Sequence, residues 1–107
     1  MKESEWKKFK KLKSVCLERF YTRVLREAKE ISCAEKKNAH ERYGELYDLI
    51  HEMDKELGRA FDGLSRSKAF MQLMLMYRMG LVEENELNQF EDETKNGIRE
   101  IAGLDAS

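Results

Sequence analysis

The chain has 107 residues, no proline, 38% charged side chains and a formal net charge of −1 at pH 7. That length suits one domain, which at this size buries only about 60–65% of its unfolded surface, so its stability is modest unless subunits associate. Glu, Lys, Leu, Arg and Met dominate and favour helix, and the scarcity of Val, Ile and Thr excludes a substantial sheet.

No apolar run approaches the roughly 20 residues that cross a bilayer. The basic N-terminus lacks the apolar stretch of a signal peptide. The composition therefore predicts a cytoplasmic all-α protein. The expected fold is a small antiparallel helical bundle over residues 1–107, with two long helices, one apolar helix and short C-terminal helices.

Helix 1 is expected to begin after Ser4, an acceptable N-cap. Trp6, Phe9, Leu12, Cys16, Phe20, Val24, Ala28 and Ile31 follow at spacings of three and four, which is one continuous apolar stripe. Lys and Arg fill most of the other face. The segment Trp6–Val15 carries Lys7, Lys8, Lys10, Lys11 and Lys13. A basic amphipathic helix of this kind suits an anionic membrane surface or a nucleic-acid backbone. It also suits a solvated lysine face over a packed stripe.

Residues 33–37 form the predicted loop. Asn38 caps helix 2, with Glu41 three residues on as in a capping box. Tyr43, Leu46, Ile50, Met53, Leu57, Ala60 and Leu64 then alternate steps of three and four, a heptad-like seam for a long neighbour. Tyr47 and Phe61 widen it, and Gly63 ends the helix.

Helix 3 starts near Ser65 or Ser67 and runs to Met79, followed by Gly80 in the left-handed position and Leu81 as the contact beyond it. Residues 69–82 hold four of the six methionines. A helix so apolar has to be covered on several sides. A helical wheel divides it in two. Phe70, Leu73, Met74 and Tyr77 form a core face, and Met71, Leu75 and Met79 form a second ridge with a polar rim that includes Gln72 and Arg78. The ridge has the layout of an interface. It meets a copy of itself in a two-fold dimer, or another protein, or helix 1. A short helix 4 follows from Glu84 to about Phe90, and a last helix covers Glu93 to Ala102.

The charges are uneven. Residues 1–37 carry 12 Lys and Arg against 6 Glu, whereas residues 38–107 carry 8 against 15 acidic groups. Basic and acidic parts facing each other account for this most simply, and the acidic remainder repels phosphates. If one helix carried both Cys16 and Cys33, they would lie roughly 25 Å apart, too far for a disulfide. No CxxC pair, HExxH, phosphate loop or nucleophile elbow is present. Asp48 and His51 resemble half of a di-metal site, but the neighbouring carboxylates fall on the solvent side.

Met79-Gly-Leu-Val-Glu-Glu-Asn-Glu-Leu-Asn-Gln-Phe90 resembles the turn of short C-terminal oligomerisation motifs of bacteria. The whole chain is similar to short uncharacterised all-helical proteins of proteobacteria. The resemblance implies assembly and carries no activity, cofactor or site residue. The function expected from the sequence is non-catalytic protein–protein interaction as a homodimer. The alternative is nucleic-acid or membrane-surface binding through the five lysines.

Overall fold

The computed structural model describes residues 1–106. It contains five helices: α1 (Glu3–Ser32), α2 (Ala39–Phe61), α3 (Arg66–Arg78), α4 (Glu84–Leu87) and α5 (Asp92–Ala106). The fold is all-α, as its composition predicts. Boundaries follow local chemistry. The Asn38 side chain accepts the Glu41 N–H at 2.8 Å and starts α2, as an N-cap does. Gly63 at φ +76° ends the α2 turn, and Gly80 at φ +74° follows α3. Beyond Gly80 the Leu81 N–H reaches back to the Met76 carbonyl at 3.0 Å, which closes a Schellman motif. Helix 1 starts two residues earlier than Ser4 would place it, with Lys2 in the cap position.

α1 and α2 form a long antiparallel hairpin. α3 packs along both, and α5 packs on α3. The start of α3 is fixed to the first turn of α1 by an ion pair between Arg66 and Glu3 and by the Arg66 guanidinium 5.9 Å over Trp6. Its end is fixed where Arg23 donates to the Met79 and Gly80 carbonyls. α3 therefore reaches only to the level of Arg23. Residues 24–32 of α1 and the first half of α2 continue past it as a two-helix tip, in a molecule 51 × 30 × 20 Å across.

The core runs along the α1 stripe at Phe9, Leu12, Cys16, Phe20 and Val24, all buried. Its centre on α3 differs from the wheel. Ala69, Gln72, Leu73 and Met76 are buried together, whereas Phe70 is 37% exposed. Met76, left off both predicted stripes, is fully buried. The reason is three-sided cover: α1, α2 and α5 all pack on α3, so its inward sector is wider than one stripe and is centred between the two that periodicity suggested.

Gln72, read as rim, is also inside. Its amide donates to the Asp62 carbonyl at 2.8 Å and its oxygen accepts from Lys13 at 3.1 Å. Lys13 also donates to the Gly63 carbonyl at 2.6 Å. These bonds satisfy carbonyls at the end of α2 that the helix itself leaves unpaired, and they pin the α2–α3 turn to α1.

Candidate interaction surface

The face of the α1–α2 hairpin that α3 does not cover carries a row of exposed apolar side chains. Tyr21 is 44% exposed, Leu25 68%, Tyr43 74%, Tyr47 60% and Ile50 42%. Between the helices lies a cleft of about 250 Å³, lined by Tyr21, Val24 and Leu25 from α1 and by Ile50, Met53 and Leu57 from α2. A second, more open groove of about 610 Å³ continues toward the other end, lined by Lys10, Ser14, Leu17, Phe61, Gly63 and Leu64. Large apolar side chains rarely lie exposed side by side on a monomer unless they meet something.

The heptad-like seam of α2 explains half of this surface. α1 covers one side of the seam: Leu46, Met53 and Leu57 are half-buried and Ala60 is buried, while Tyr43, Ile50 and Leu64 of the same seam stay exposed. One neighbouring helix covers a sector of about 100°, and Tyr47 widens the apolar face past that. The α1 half is absent from the sequence reading. Leu17, Tyr21 and Leu25 stand at i, i+4 and i+8, a second apolar row beside the fitted stripe, and this spacing was the signal for it.

The predicted ridge on α3 is divided by the fold. Met71 is 56% exposed, but Leu75 and Met79 are partly buried against the core. The ridge thus offers one open side chain where the hairpin face offers five.

The five lysines of α1 are dispersed among structural tasks. Lys13 holds the α2–α3 turn, and burial lowers its pKa from the ordinary value, with Asp62 opposing. Lys8 donates to the Gln89 carbonyl at 2.7 Å. Lys10 lies 5.4 Å over Trp6. Only Lys7 and Lys11 make no such contact among the described residues. Among those residues, no group of three or more His, Cys, Asp or Glu side chains is placed to hold a metal ion. His51 stacks on Tyr47 with 5.7 Å between ring centroids. No helix among them is long and apolar enough to cross a membrane.

The Gly80 turn is locked to α1 by a polar clamp. The Arg19 guanidinium bonds both Glu86 oxygens, at 2.6 and 3.0 Å, and the Leu81 carbonyl at 2.8 Å. Glu86 also accepts the Glu83 N–H at 2.9 Å. The bonds from Arg19 hold the Glu86 carboxyl below its ordinary 4.5, against the opposing effect of burial. A depressed carboxyl stabilises the fold above its unfolded pKa and loses that contribution as pH falls through the folded value. Glu86→Gln is therefore expected to be less stable than the wild type at pH 7, and the gap to close as pH falls below about 4.5. Urea unfolding of both proteins between pH 7 and 3 measures it, and a gap that widens on acidification contradicts the assignment.

No family model, curated protein or solved structure matches the chain.

Proposed function

We propose that the protein is a non-catalytic interaction module that works as a homodimer through the exposed face of its α1–α2 hairpin. The observation that carries this is the row of Tyr21, Leu25, Tyr43, Tyr47 and Ile50 along one face. Taking about 200 Å² for a fully exposed side chain of this size, the exposed parts of these five come to roughly 600 Å². A standard interface buries about 800 Å² on each partner, so the row alone supplies most of one.

The seam on α2 needs a second long helical neighbour. The long helices of this chain are α1 and α2, and a second copy supplies them in the commonest closed symmetry, a two-fold. A two-helix tip with nothing across it among the described residues is also completed by pairing into four helices.

Sedimentation velocity across a concentration series tests this. The wild type is expected at twice the chain mass. Leu25→Glu puts a charge in the middle of the face, and should weaken association at least about 30-fold, equivalent to the roughly 2 kcal/mol of a hot-spot residue. Met71→Glu on α3 should leave the dimer unchanged. A wild type that stays monomeric at the highest concentrations overturns the reading. A dimer lost with Met71→Glu and kept with Leu25→Glu moves the interface to α3.

A further inference from the structure

We propose that the two copies pack hairpin face to hairpin face and antiparallel, so that the tip of each points toward the lysine-rich end of the other. The inference rests on the self-association reading above and adds the arrangement of the partner copy. Two two-fold arrangements bury the same apolar row. In one, α1 of the partner lies over α2 and both tips point the same way. In the other, α1 lies over the partner's α1 and the tips point opposite ways. Charge decides between them.

The hairpin is polarised along its length. Residues 1–13 hold six Lys and two Glu, net +4, while residues 24–52, which form the tip, hold five Lys and Arg and seven acidic groups, net −2. Tips together would set lysine end against lysine end, which is repulsive at moderate salt. Tips apart point each acidic tip toward a basic end, and a two-fold axis near Arg23 brings the loop residues 33–36 level with the partner's residues 10–13.

The register supports the same choice. On α1 the residues pointing away from α3 include Glu18, Leu25 and Lys29, by the 100° step. Glu18 and Lys29 are exposed, and neither forms an ion pair among the described residues. A two-fold axis crossing α1 near Arg23 sets Tyr21 against the partner's Leu25. The same axis sets Glu18 against the partner's Lys29, and by symmetry both pairs occur twice. The cleft aligns Tyr21 and Leu25 with Ile50 and Asp54 of α2, so this axis crosses α2 near His51. It then carries each Tyr43 toward the partner's open groove beside Leu17 and Leu64. In the tips-together arrangement Glu18 would instead lie level with the partner's Leu57, with no cation of that face beside it and Asp54 one turn away.

A charge-reversal cycle read by sedimentation at low salt tests the arrangement. Glu18→Lys and Lys29→Glu are each expected to weaken the dimer about 10-fold, because each change spoils two symmetric contacts. The double variant E18K/K29E should return to within about 3-fold of the wild type. Within one chain the two residues are 11 positions apart, about 16 Å and beyond the screening length, so recovery reports the contact between copies.

Cys33 gives a second measurement. It is exposed in the loop at the tip, whereas Cys16 is buried and burial pushes its thiol up to about 11. In the antiparallel dimer the two Cys33 thiols lie about 30 Å apart, so a bismaleimide spanning about 10 Å leaves the chains unlinked. A dimer that Glu18→Lys strengthens, that shows no recovery in the double variant, or that links efficiently through Cys33 overturns the arrangement while leaving self-association standing. A protein that is monomeric throughout overturns both.

Discussion

Met76→Ala is expected to destabilise the fold by about 2–5 kcal/mol, the range for deleting a long buried side chain whose site collapses only in part. Met71→Ala, five residues away on the same helix, should change stability by less than about 0.5 kcal/mol, as exposed substitutions do. Met76 is fully buried and Met71 is 56% exposed. Composition does not separate these two methionines, and the wheel that made Met71 an interface residue left Met76 without a role. The structure separates them because Met76 shares the buried sector of α3 with Ala69, Gln72 and Leu73, whereas Met71 lies outside it. Equilibrium urea unfolding decides the matter, provided the two variants and the wild type share one slope, so that midpoints convert to stability. Equal midpoints for Met76→Ala and the wild type would mean that α3 is rotated from the orientation described.

The same pair shows what the sequence conveys and where it stops. The main stripe of helix 1 was legible because most of its other residues stay in solvent, so the amphipathic contrast fixes its rotation. Its stripe from Phe9 to Val24 is buried as spaced. The start of α2 and the ends of α2 and α3 were legible because Asn38, Gly63 and Gly80 each have a backbone reason to stand where they do. The orientation of α3 was not. A helix covered on three sides shows little amphipathic contrast, so periodicity cannot fix its rotation.

The interaction surface was half legible, and for a related reason. Tyr43, Ile50 and Leu64 belong to a correctly spaced seam. Spacing cannot say which members of a seam an intrachain neighbour takes and which are left for a partner. That depends on how far α3 extends, and α3 stops at Arg23. The lysines of α1 were legible as a face but not as individuals. Lys8 and Lys13 are held by carbonyls 81 and 50 positions away in the chain, and no local pattern predicts contacts that distant.

Glu5 is the residue whose removal should separate the last helix from the rest. It sits one turn before Phe9 on the apolar stripe and is only 3% exposed. Its carboxylate accepts the Glu91 N–H at 2.8 Å and the Thr94 hydroxyl at 3.0 Å. Asp92 is the first residue of α5, so Glu5 caps that helix from a different part of the chain. The arrangement does two things. It satisfies an N–H at a helix start that has no intrahelical partner, and it places an acidic group at the positive end of the helix dipole.

Glu5→Ala leaves the N–H and the hydroxyl without acceptors in a buried place and is expected to cost about 2–4 kcal/mol, more than a neutral surface cap because the lost bonds involve a charged group. Glu5→Gln keeps one oxygen for the Glu91 N–H and an amide that can donate to the Thr94 hydroxyl, so its cost should stay near about 1 kcal/mol.

The loss should also be local in character. α5 packs on α3 and contributes fully buried Ile98 to the core. Releasing its start therefore opens one side of α3 before the hairpin unfolds. Hydrogen exchange reads this directly. In Glu5→Ala the amides of α5 should exchange by local opening far below the global free energy, while those of Phe9 to Phe20 in α1 follow global unfolding. Uniform loss of protection across all helices would instead make Glu5 a general core residue and not the cap of α5.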